Sequence, residues 1–145
     1  MAADDAGAAR TDSELRWALQ HLPPEARSVS QARRGARAAV EAWGLEDLDW
    51  LVAQLVSEVA TNAVLHAGTP FDVMLRFDGH RLRCEVADTS PRLPRTRHYA
   101  SDSTTGRGLH LLAELSSDWG VDRRGDGKTV WFELVHEQDV AEAVA

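Results

Sequence analysis

Cysteine is nearly missing from this 145-residue chain, which carries only Cys84. One thiol closes no internal disulfide, so a reducing, cytoplasmic setting is expected. Cys84 falls in a strand-like alternation, which favours a buried structural thiol. Long apolar runs are missing too, and the first residues show no apolar signal-peptide core, so neither a membrane span nor export is expected. Positive charge is in deficit. With 16 Lys+Arg against 23 Asp+Glu the formal net charge is −7, which argues against a direct nucleic-acid or anionic-membrane surface. There are no repeats and no sign of a second domain.

What is present is an ordinary globular composition, 43% hydrophobic, enough for one domain with a core. Residues 1–13 and 136–145 are small, polar or alanine-rich and read as tails, the first disordered; 14–135 reads as the folded domain. In 14–22, Leu15, Trp17 and Leu19 alternate with polar residues, as in a strand that ends at Pro23-Pro24. Val29, Ala32, Ala36, Ala39, Val40 and Trp43 follow helical spacing over 25–43, with Gly44 as the stop. A second helix is expected over 46–67, its first turn acidic, ended by Gly68-Thr69-Pro70. Two alternating runs, 71–78 and 81–87, flank Asp78-Gly79 and predict an antiparallel hairpin. Then come a long loop over 88–105, a helix over 108–117, and a second hairpin of 119–124 with 128–135 around Gly125-Asp126-Gly127. This order predicts an α+β two-layer sandwich, helices on one face of a mostly antiparallel mixed sheet.

The second helix carries polar groups inward. An α-helix turns by about 100° per residue, which puts Leu48, Leu51, Val52, Leu55, Val56, Val59 and Ala63 on one arc. Asn62 and His66 fall inside that arc and Glu58 on its border. Inward polar groups need partners, or they cost about 1–3 kcal/mol each. Local answers exist: Asn62 can bond backbone in the facing layer, and His66 can cap the helix end. A carboxylate and an amide oxygen one turn apart can also serve a hard cation such as magnesium, and a carboxylate at the core border can act as general base.

Two further features point the same way. Gly106 and Gly108 flank Arg107 where the third helix is expected to start, and backbone N–H groups at a helix start bind phosphate. Arg92, Arg95, Arg97 and Arg107 face only Asp102 across 91–107, so this loop is either a solvated basic stretch or a place to hold an anion. No strand runs directly into these glycines, so the dinucleotide fingerprint is absent. Gly127-Lys128-Thr129 is too short for a phosphate loop and leads into a strand. Asp88 ends a strand, where it either caps a turn or accepts a hydrogen bond from an exocyclic amine at a pocket floor.

With SEVATNAVLHA at 57–67, VADTSP at 86–91, TTGRGLHLL at 104–112 and WGV with GKTVWFEL closing 119–134, the chain resembles the histidine-kinase-like (GHKL) ATPase superfamily. More narrowly it resembles the small anti-sigma-factor serine kinases and their actinobacterial relatives. The resemblance covers roughly 14–135 and implies the histidine-kinase-like ATPase fold. It implies that Asn62 ligates magnesium, Glu58 is the general base and Asp88 holds the adenine amino group. It places Gly106, Arg107, Gly108 and Leu109 along the phosphate side under a lid that includes Arg92, Thr129 in support of the adenine pocket, and His66 close to the nucleotide. The wider superfamily has glycine at the second and fourth positions after the aspartate; here these are Ser90 and Arg92, a form that resembles the small actinobacterial branch.

The resemblance therefore implies a cytoplasmic ATP- and magnesium-binding anti-sigma factor. It would phosphorylate a serine or threonine of an anti-anti-sigma antagonist, with a sigma factor as second partner and a homodimer as the state. Two other readings stay open: a nucleotide-gated binding module without phosphotransfer, and the catalytic half of a split sensor histidine kinase, for which no phospho-accepting helix pair is seen.

Overall fold

The computed structural model describes residues 15–90 and 104–136, with 104–108 described by backbone alone. The expected tails, the lid over the long loop, and Arg92 lie outside the described residues. Strand alternation sets the sheet. Along β2 (Phe71–Phe77) and β3 (Arg81–Asp88), burial switches at every residue. Phe71, Val73, Leu75 and Phe77 turn to one face with Leu82, Cys84 and Val86. Strand β5 (Gly127–Val135) adds Val130, Phe132 and Leu134 to that face, each opposite its β3 counterpart. With β1 (Arg16–Leu22) and β4 (Asp118–Arg124) this makes a five-stranded sheet in the order β1-β2-β3-β5-β4. Every pairing is antiparallel, so the sheet is not mixed as the sequence suggested.

The helices cover one face. Helix α1 (Ala26–Ala42) presents Ala32, Ala36, Ala39 and Val40, small residues that let it lie close, and Gly44 ends it with φ of 73°. Helix α2 (Asp49–Asn62) buries Val52, Leu55, Val56 and Val59; α3 (Thr104–Leu115) buries Leu109 and Leu112. Together with the inner sheet face they form one hydrophobic cluster, each full Val, Leu or Phe burial contributing about 1.5–3 kcal/mol. Cys84 lies in it, and burial pushes its thiol far above the ordinary range, as an inert core residue requires. No described helix is long and apolar enough to cross a membrane.

On β1 the apolar residues face out: Trp17 and Leu19 are 56% and 57% exposed, while Ala18, Gln20 and Leu22 face the helices. The reason is space. Gln20 occupies the room that a Cβ on Gly35 of α1 would need, and it donates to the Gln31 carbonyl at 3.0 Å. Trp17 takes the Arg76 guanidinium across the ladder at 5.7 Å. The helix expected over 46–67 is three segments: a 3-10 turn (Glu46–Leu48), α2, and a π-helical turn (Ala63–Ala67). Gly68 N–H closes that turn onto Ala63 carbonyl at 3.3 Å, five residues back, and Gly68 stops it with φ of 66°. Lastly, α3 begins at Thr104 rather than 108, so Gly106 and Gly108 lie within its first turns.

Candidate functional site

The polar end of α2, the π turn, the last residues of β3 and the first of β5 meet at the seam between the layers. They border a partly open pocket lined by Val59, Asn62, Ala63, His66, Val86, Asp88, Lys128 and Val130. Half of the lining is aliphatic and half polar. An arrangement of apolar walls with a few fixed polar groups suits a flat heterocycle.

Asn62 reaches the pocket because α2 buries the same face that carries Val59. It is 8% exposed, and its amide nitrogen finds no hydrogen-bond partner among the described residues. A buried unpaired donor costs about 1–3 kcal/mol, a cost that none of the described residues offsets here. His66 lies one turn on, in the π segment, half-buried and against the same cavity. Single π turns recur at functional sites, and this one sits directly under two pocket residues.

Asp88 forms the floor. Its side chain is 2% exposed, and Oδ1 accepts the Ser90 N–H at 2.8 Å. Lys128 Nζ lies 2.9 Å from Oδ2 and 3.1 Å from Oδ1, with its side chain 6% exposed. This is a buried ion pair on the inner face of the β3–β5 ladder, where Asp88 is the register partner of Lys128. Gly127 makes the close approach possible, because a Cβ there would land on the Asp88 carbonyl oxygen. The next peptide is tied from the other side, with Thr89 N–H donating to Thr69 Oγ1 at 3.3 Å.

The structure thus gathers Asn62, His66 and Asp88 in one pocket. Glu58 is half-buried one turn before Asn62 and does not line the cavity. Thr129, expected to support the pocket, is buried elsewhere: its register partners are Ala87 and Asp122, on the other face of the sheet. Leu109 packs into the core rather than along the pocket. Gly106, Arg107 and Gly108 are placed by backbone in the first turns of α3, where the leading N–H groups have no intrahelical acceptors. Sequence reasoning missed Lys128 and Gly127. Counting by twos back from Leu134, Phe132 and Val130 puts 128 on the inner face, and that signal was available.

Fold and site together define an α+β sandwich with a mixed polar and apolar cavity at its helix–sheet seam. The chain belongs to the histidine kinase-like ATPase domain family, which it matches over residues 22–134. A Streptomyces coelicolor protein described only as uncharacterised is 36% identical over 88 residues, covering 57% of this chain and 83% of that protein. Among solved structures, the RsbU and RsbW domains of Rv1364c from Mycobacterium tuberculosis superpose with a TM-score of 0.64 at 17% identity. That match covers 82% of this chain and 31% of the other, so this chain spans about a third of that protein's length.

Proposed function

We propose that this protein is an ATP-binding regulatory protein of the anti-sigma-factor type, acting as a serine/threonine kinase on an anti-anti-sigma antagonist. Membership of an ATPase domain family supports nucleotide binding. The observation that carries the reading to this pocket is the buried Asn62 amide nitrogen, without a partner among the described residues, beside the buried Asp88 carboxylate and between aliphatic walls.

Each residue has a role that its position supports. Asp88 accepts from the exocyclic amine of the base, and Val86 and Val130 give the ring an apolar surface. Asn62 fits magnesium. Amide orientation is an assignment, and turning the group presents its oxygen where the unpaired nitrogen now lies. Among the described residues no three His, Cys, Asp or Glu side chains cluster to hold a metal. One amide oxygen plus phosphates and waters is a normal magnesium environment. Bound magnesium supplies charge neutralisation at the phosphates. Glu58, a turn away and half-buried, takes the proton from the attacking hydroxyl. The start of α3 offers backbone N–H groups to phosphate.

The partner reading, a sigma factor and its antagonist, rests on the resemblance of the motifs and on the likeness in fold to a structure titled with RsbU and RsbW domains. Self-association into a homodimer is supported by Trp17 and Leu19, exposed on an edge strand. A second reading, a nucleotide-gated binding module, is favoured by Ser90. It is 4% exposed and its N–H is held by Asp88, where the wider superfamily has a glycine. Calorimetric titration with magnesium and ATP tests the shared part: binding lost in Asp88→Ala is expected, and unchanged affinity refutes the pocket. Labelled ATP with candidate antagonists separates the two. Label that never reaches an antagonist from a protein that binds ATP leaves the gated module standing.

A further inference from the structure

Lys128 does more than neutralise Asp88. A carboxylate has about four acceptor positions. On Asp88 the Ser90 N–H takes one on Oδ1, and the Lys128 ammonium approaches both oxygens, which leaves an acceptor position on Oδ2. An ammonium has more N–H groups than two contacts to one carboxylate consume. Among the described residues Asp88 is its partner. Both side chains line the cavity. The pair therefore shows the cavity one acceptor and one donor side by side. Two residues along the same two strands, Val86 and Val130 form an apolar surface against which a ring can lie.

Resting on the nucleotide-binding reading of this pocket, we infer that Lys128 reads the base edge, donating to the ring nitrogen adjacent to the exocyclic amine that Asp88 accepts. Side by side, Asp88 and Lys128 complement an amine donor next to a ring-nitrogen acceptor, which is the edge of a 6-aminopurine. A 6-oxopurine presents acceptor and donor in the opposite order, so Asp88 faces a carbonyl oxygen and Lys128 faces an N–H. Each mismatch sets acceptor against acceptor or donor against donor beside a buried charge, the circumstance in which polar sites discriminate strongly. Lys128 is thus a specificity-determining residue, and burial is what gives it that power: a solvated lysine exchanges the bond for water at little loss.

The test uses the intact protein and base-modified triphosphates. Affinities are measured by calorimetry for ATP, 1-deazaadenosine triphosphate, which lacks the ring acceptor, and inosine triphosphate. The wild-type protein is expected to bind the 1-deaza compound about 10- to 100-fold more weakly than ATP, the range for a hydrogen bond to a charged donor. Inosine triphosphate is expected to bind more weakly still. In Lys128→Met the preference for ATP over the 1-deaza compound is expected to fall to about twofold, with folding checked by thermal melting. Should that variant fail to fold, the analogue series on the wild-type protein decides. Equal binding of ATP and the 1-deaza compound overturns the role of Lys128 and leaves nucleotide binding intact. Tighter ATP binding by Lys128→Met also overturns it, because the lysine is then a competitor for Asp88. If none of the three triphosphates binds, the reading on which the inference rests fails instead.

Discussion

Replacing Gly127 with alanine adds one methyl group where the start of β5 lies against the end of β3. That methyl lands on the Asp88 carbonyl oxygen and 2.8 Å from Thr89 Cα, both backbone atoms that cannot rotate away. The strands must separate at their Asp88–Lys128 register pair. Two costs follow. Overpacking against backbone is worth about 1–3 kcal/mol. Loosening the buried ion pair adds to it, since a fully broken buried pair costs about 3–5 kcal/mol. A partial separation gives an expected total of about 2–4 kcal/mol. At about 2–4 °C per kcal/mol for a chain of this size, the melting temperature is expected to fall by roughly 5–15 °C. Gly125→Ala is the internal control. It sits in the same hairpin turn with φ of 59°, and nothing lies within 4 Å of its absent Cβ, so it pays only backbone strain of about 1 kcal/mol. Urea denaturation of both variants reads the difference directly. If Gly127→Ala proves no costlier than Gly125→Ala, the packing of the pocket floor described above is wrong.

For Asn62→Ala, magnesium-dependent ATP binding is expected to disappear while stability stays within about 1 kcal/mol of wild type, because the amide nitrogen makes no bond with the described residues; calorimetry and denaturation check the two halves, and unchanged ATP affinity sinks the metal assignment. Glu58→Ala is expected to bind ATP normally and to transfer no label to an antagonist, so surviving transfer shows that Glu58 is not the base. Asp78 supplies a pH dependence. Burial raises its carboxyl, but the backbone N–H groups of Arg81 and His80, which it accepts, outweigh this and hold it below its ordinary range. A depressed folded-state value means stability that is present above the ordinary aspartate range and lost as pH falls through the folded value. Stability measured by urea from pH 5 downward should therefore fall less steeply in Asp78→Ala than in wild type, and identical slopes reject the assignment.

The sheet was legible wherever alternation coincided with two-sided contrast. Phe71, Val73, Leu75 and Phe77 alternate with polar residues, and each lies inward as expected. Trp17 and Leu19 alternate just as well and lie outward, because pattern fixes the period of a strand but not which face the neighbouring helix leaves open. What admits Gln20 on the inner face is the missing Cβ of Gly35, a contact between distant residues that periodicity cannot express. At the pocket, Asn62 stood out in the sequence because an inward polar residue contradicts its surroundings, and Asp88 because it ends a strand. Lys128 did not, since it was weighed as part of a phosphate motif rather than as a position on a strand. Thr129, expected to support the pocket, lies one residue beyond the Asp88–Lys128 pair, and in a strand one residue means the opposite face.

The departures from regular structure are not scattered. The π turn over Ala63–Ala67, the buried Asp88–Lys128 pair and the Asn62 amide nitrogen, unpaired among the described residues, all border one cavity, and the glycine that cannot carry a Cβ directly precedes Lys128. Each costs stability by itself: weaker helical hydrogen bonds, desolvated charges, an orphan donor, a flexible residue. A fold selected for stability alone has no reason to gather them. A pocket that places a donor, an acceptor and an amide around the proposed flat ligand does, because the ligand satisfies the polar groups while the π turn and the glycine set their positions. The same logic sets the order of failure under mutation. Residues whose partner is protein, such as Gly127, should damage folding before binding, and those whose partner is ligand, such as Asn62, should damage binding alone.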